Sequence, residues 1–124
     1  MKKATCEWVD KAEGDFRTAG RELQAKPPNY DATAFHSHQC VEKYLKARLI
    51  EAGAGFPKTH DLTSLLDLLS KIEPSWTTIR ESLDALASLG VEVRYPGMSA
   101  DLEDAENALK AAKKVRSLVR SSLK

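Results

Sequence analysis

The sequence predicts an all-α protein: an up-and-down bundle of four or five helices forming one domain over residues 1–124. Three observations predict it. Apolar residues recur at three- and four-residue steps along nearly the whole chain, the spacing of one helix face. Prolines and paired glycines fall between those periodic segments. No segment alternates apolar and polar residues over a strand's length, and Val91-Glu-Val93 is too short to pair alone.

The elements follow in order. Thr5 is placed to cap a first helix, whose Trp8, Ala12, Phe16, Ala19 and Leu23 share a face. Lys26-Pro-Pro-Asn29 stops it. Asp31 suits the N-cap of a second helix, with Ala34, Phe35, His38, Val41, Leu45, Leu49 and Ala52 on one side. Gly53 and Gly55 end that helix and Pro57 forbids its return. Thr59 or Asp61 caps a third, with Leu62, Leu65, Leu66, Leu69 and Ile72 as its stripe. Pro74 closes it and begins a segment carrying Ile79, Leu83, Leu86 and Leu89, which Gly90 breaks. Val91 to Gly97 reads as extended loop, because Tyr95 precedes Pro96. Ser99 caps the last helix, with Leu102, Ala105, Leu109, Ala112, Val115, Val119 and Leu123 as its apolar face. Its acidic start at Asp101, Glu103 and Asp104 and its basic end suit the helix dipole. Short connections imply antiparallel neighbours.

Composition narrows the function classes. With 42% hydrophobic and 30% charged residues in 124, the chain is long enough for its own core and is not disordered. A net charge of +1 recruits neither nucleic acid nor membrane globally, so such binding needs a local patch. Cys6 and Cys40 lack metal-ligand spacing and read as free thiols of a reducing compartment. The first residues have no apolar signal core and no run approaches the ~18 apolar residues of a membrane span. A cytoplasmic protein without membrane contact is expected.

The most informative stretch is Phe35-His-Ser-His-Gln-Cys-Val-Glu-Lys-Tyr-Leu-Lys46. It combines an apolar seam with a polar row. His36, Gln39, Lys43 and Lys46 follow three- and four-residue steps and share a face. They are candidate ligand-binding residues, with the lysines meeting phosphate oxygens; the alternative is a solvated face or a dimer contact. His38 falls on the apolar stripe and reads as a core histidine. His36 and His38 diverge on a helix and make a poor metal pair, so neither metal nor cofactor is expected. Glu42 and Lys46 form an i,i+4 ion pair. Asp61 reads as a cap, whereas His60 beside it is a candidate hydrogen-bonding group. In Arg94-Tyr-Pro-Gly97, Arg94 is a candidate anion clamp and Tyr95 a candidate base-stacking ring. The alternative is an Arg94 ion pair to a bundle carboxylate such as Asp15. The basic C-terminal helix, with Lys110, Lys113, Lys114, Arg116 and Arg120, reads as a solvated face.

Phe35 to Ala47, then Thr59-His-Asp-Leu62, then Arg94-Tyr-Pro96 together resemble the HEPN domain family, and Trp8 to Asp15 is similar to that family's first helix. The resemblance covers nearly the whole chain. It implies a four- or five-helix bundle, usually dimeric. The family includes ribonucleases of toxin–antitoxin and defence systems and inactive relatives proposed to bind nucleotides, often encoded beside a small nucleotidyltransferase. Its ribonucleases carry an arginine followed, four to six residues later, by a histidine. Here Arg94 has no histidine after it, since His36, His38 and His60 all precede it. The resemblance therefore points to the branch with Arg-Tyr-Pro in that place. The expectation is a non-catalytic homodimeric module that binds a nucleotide, an RNA segment or a partner nucleotidyltransferase. The alternatives are a metal-independent ribonuclease using Arg94 and an upstream histidine such as His60, and a purely structural interaction module.

Overall fold

A computed structural model describes residues 1–93 and 95–123, the side chains of residues 91 and 92 excepted. Among the described residues there are five α-helices and no strand: α1 Lys3–Gln24, α2 Tyr30–Glu51, α3 Leu62–Leu69, α4 Arg80–Glu92 and α5 Leu102–Ser122, with a 3-10 helix at Pro74–Ile79 leading into α4. The all-α up-and-down bundle is therefore observed.

The long helices alternate in direction. Thr5 meets Glu51 and Thr33 meets Ala19, so α1 and α2 are antiparallel. Helix α4 starts against α3 through Arg80 and Asp67 and ends with Gly90 on His38, returning along α2. Helix α5 runs parallel to α2: Ala100 meets Asp31 near their starts and Ser122 meets Arg48 near their ends. Helix α3 departs from strict antiparallel order. His60 ahead of it meets Glu42 and Glu73 beyond it meets Arg48, so it progresses in the same sense as α2.

Helix α2 touches the other four helices. This explains why its buried residues go round the helix instead of keeping to one face: Ala34, Cys40, Val41, Tyr44, Leu45, Ala47 and Leu49 are all buried. Around it pack Leu62, Leu65, Leu66 and Leu69 of α3, Leu83 and Leu86 of α4, and Ala112, Val115 and Val119 of α5. Burial of each leucine stabilises by about 1.5–3 kcal/mol, and truncation to alanine costs about 2–5 kcal/mol.

Several local expectations are corrected. Thr5 is not a cap: α1 begins at Lys3, and the buried Thr5 hydroxyl donates to Glu51 Oε1 at 2.8 Å. Asn29, not Asp31, caps α2, accepting from Ala32 N at 3.0 Å. Asp31 is thereby left to accept from Ala100 N at 2.7 Å. Asp61 caps α3 as expected. Asp101, not Ser99, caps α5, in a reciprocal capping box with Asp104. Gly90 does not break α4, which continues to Glu92. A Cβ at Gly90 would lie 2.5 Å from His38 Cδ2, so glycine serves there as a packing residue. Residues 91 and 92 are thus helical, not extended loop.

Candidate functional site

Helix α2 projects its polar residues toward two different places. On the α1 side, Asp15 collects two of them: Lys43 Nζ lies 2.6 Å from Oδ2 and His36 Nδ1 2.8 Å from Oδ1. Two residues back, Glu13 accepts a two-pronged bond from Arg116 of α5, with Nε at 2.7 Å and Nη2 at 2.8 Å. The Tyr44 hydroxyl donates to the same carboxylate, and Arg120 Nη1 donates to Tyr44 at 3.4 Å. The Arg116 guanidinium also lies 4.8 Å from the Phe16 ring centre. The Arg116 hydrogen bonds hold Glu13 down to about 2, against the opposing effect of burial. Burial, then the bond to Glu13, pushes the Tyr44 hydroxyl up to about 12. Burial raises the Cys40 thiol to about 12 as well, with Asp15 and Glu13 adding to the effect. This cluster joins α1, α2 and α5 by charge-assisted bonds, and Cys40 is inert as a nucleophile.

The second cluster lies toward the α2–α3 connection. Lys46 Nζ is 3.0 Å from Glu42 Oε2, and both side chains are over nine-tenths buried. Such a pair persists in a dry site only with further partners. Lys46 has them in the rings of Trp8, 5.5 Å away, and Phe56, 5.4 Å away. Those two rings meet edge-on at 6.0 Å. Glu42 has its further partner in His60, whose Nδ1 lies 3.0 and 3.1 Å from the two carboxylate oxygens. The His60 side chain is 80% exposed. With Nδ1–H given to Glu42, a neutral ring presents the Nε2 lone pair to solvent.

The structure thus divides the row read from the sequence. His36 and Lys43 close on Asp15, Lys46 and His60 close on Glu42, and Gln39 is half-buried. Tyr95 is exposed. Arg94 lies outside the described residues. The segment that contains it is fixed at both ends on α2, by Gly90 against His38 and by the Ala100–Asp31 bond. Arg116 and Arg120, expected on a solvated face, are instead ion-paired to Glu13.

Sequence reasoning missed Glu13, Trp8 and Phe56 as partners and named Asp15 for Arg94 alone. The available signal was Glu13-Gly-Asp15 beside the apolar stripe of α1, facing a helix rich in His and Lys. Among the described residues no group of His, Cys, Asp and Glu is arranged to hold a metal ion, and no helix is long and apolar enough to cross a membrane.

Comparison with known proteins adds three findings. The HEPN domain family model matches residues 5–122. A Methanocaldococcus jannaschii protein named "Putative toxin MJ1304" is 30% identical over 134 residues, covering 94% of this chain and 86% of that protein. The solved structure titled "Crystal Structure of ST0689, an archaeal HEPN homologue" aligns over the whole of both chains with a TM-score of 0.69 at 20% identity, a likeness of fold.

Proposed function

The chain belongs to the HEPN domain family, and from that premise we propose that it is a non-catalytic, toxin-related binding module. It works as a homodimer in the cytoplasm and takes a nucleotide, an RNA segment or a partner nucleotidyltransferase. The toxin connection rests on the name of the Methanocaldococcus relative. The observation that carries the non-catalytic reading is in the sequence: no histidine follows Arg94. The arrangement of two of the three upstream histidines agrees with it. His36 is held by Asp15 and His38 is packed under Gly90.

In this reading the ligand contacts come from Gln39, Lys43, His60, Arg94 and Tyr95, with His36 and Lys46 bracing them through Asp15 and Glu42. The test has two parts. Purified protein is titrated calorimetrically with ATP, AMP and a short single-stranded RNA, and the neighbouring gene's product is co-expressed with it. Binding that is lost in Arg94→Ala and Lys43→Ala supports the ligand reading. Co-purification without ligand binding moves the function to the partner. Absence of both ligand binding and co-purification would sink the proposal. Sedimentation at micromolar concentration tests the homodimer.

One observation favours a second reading. His60 and Glu42 form a carboxylate–histidine pair with an exposed Nε2, the arrangement of a general base. A metal-independent ribonuclease would use that base with Arg94 on the phosphate. RNA cleavage by the pure protein that disappears in His60→Ala would establish this reading, and absence of cleavage by the wild type would remove it.

A further inference from the structure

Helices α4 and α5 together line an open groove of about 460 Å³. That lies within the ~300–1,000 Å³ range of small-molecule sites. Its floor is apolar and made of small and branched residues, Leu86 and Leu89 from α4 and Ala108 and Ala111 from α5, with the exposed Ala85 at its rim. One wall carries Lys110 and Lys114.

These two lysines differ from the cations at the other helix contacts. Lys43 is paired with Asp15, Lys46 with Glu42, Arg48 with Glu73, Arg80 with Asp67, and Arg116 and Arg120 with Glu13. Lys110 and Lys114 have no ion pair among the described residues. They stand four apart on α5, so their stems are about 5–6 Å apart and the two charges repel. One anion placed between them would turn that repulsion into two attractions. The groove's own carboxylate, Asp104, does not fill this role. Its Oδ2 is bonded to Asp101 N at 3.1 Å, in the capping box at the other end of the groove.

We propose that the α4–α5 groove binds a small anion carried on an apolar body, such as an aryl or alkyl carboxylate, sulfonate or phosphate. Lys110 and Lys114 anchor the anion, and the alanine and leucine floor takes the body. Asn107 and Ser82, which also line the groove, offer hydrogen bonds at its edges. The site is separate from the polar residues of α2, and it stands or falls independently of the function proposed above.

The test uses the full chain and 1-anilinonaphthalene-8-sulfonate, an apolar body with one anionic group, followed by fluorescence at neutral pH. The expected result is saturable binding of one probe per chain. Affinity should fall at least tenfold in Lys110→Gln/Lys114→Gln and remain at the wild-type level in Lys113→Gln, the neighbouring lysine that does not line the groove. N-phenyl-1-naphthylamine, which lacks the sulfonate, should bind at least fivefold more weakly, and inorganic phosphate alone should compete only weakly. Ala85→Trp, a change at an exposed rim position, should fill the groove and abolish binding while the circular dichroism spectrum and melting temperature stay native. Binding that is unsaturable, indifferent to the two lysines, or retained in a folded Ala85→Trp protein overturns the proposal. Phosphate that binds as tightly as the probe also overturns it, because the apolar body would then contribute nothing.

Discussion

Replacing Gly90 with alanine should destabilise the protein, although alanine is the better helix former. Gly90 lies inside α4, where the exchange would by propensity stabilise by about 0.8–1.0 kcal/mol. The new methyl carbon, however, would sit 2.5 Å from His38 Cδ2, 2.7 Å from Cγ and 3.0 Å from Cβ. Carbon atoms prefer separations of about 3.5–4.0 Å, so roughly 1 Å of displacement is required. Rotating the imidazole does not relieve the contact with its own Cβ, which is fixed to the α2 backbone. Overpacking of this kind costs about 1–3 kcal/mol, and with three atoms in conflict the upper half applies. The net loss is about 1–2 kcal/mol, or a fall of roughly 3–10 °C in melting temperature for a domain of this size. Urea denaturation followed by circular dichroism measures it. Gly20→Ala is the internal control: it lies within α1 with nothing within 4 Å of the added carbon, so it should stabilise by about 0.5–1 kcal/mol. If Gly90→Ala proves as stable as Gly20→Ala, the close approach of α4 to α2 is wrong.

Other expectations test the clusters. Glu13→Gln should flatten the acid limb of the stability curve. The carboxylate's folded value of about 2 lies below its unfolded one, so its stabilisation is present above pH ~4.5 and is lost as pH falls toward 2; urea midpoints at pH 2.5, 4 and 7 measure this. Lys46→Ala should cost about 3–5 kcal/mol by leaving Glu42 buried and without its cation, and Lys46→Met with Glu42→Leu should recover most of that loss. Asp15→Ala should cost about 1–2 kcal/mol through its bonds to Lys43 and His36, and a mutant cycle with Lys43→Ala should show coupling above about 0.5 kcal/mol. An aromatic disulfide reagent at neutral pH should leave the buried Cys40 unmodified until the protein is unfolded in urea.

The periodic stripes of α1, α3 and α5 were legible because each helix has one buried side and one wet side. Helix α2 was legible as a helix but not as the centre of the bundle. A single sequence does not say how many neighbours a helix has, so its outward row read as one surface although it serves two. Caps were misassigned at Thr5, Asp31 and Ser99 because each segment offers several residues able to cap. Which one does so depends on tertiary demand: Asp31 is required by Ala100, so the cap falls to Asn29. Gly90 read as a breaker because propensity carries no information about a ring on another helix. For the candidate site, the residue types on α2 were legible, but their partners were not. Asp15, Trp8 and Phe56 reach it from elsewhere in the chain, and only packing brings them there.

The double fixing of the segment after α4 makes it an exchangeable cassette. Its two anchor points on α2, His38 and Asp31, are seven residues apart, about 10 Å along one rigid helix. Val93 packs against the core and Ala100 belongs to it, whereas Tyr95 to Ser99 are all exposed, so this stretch can be exchanged at equal length with the core contacts kept. Grafting an arginine–histidine segment there and assaying RNA cleavage would ask whether this scaffold accepts catalysis from that segment alone.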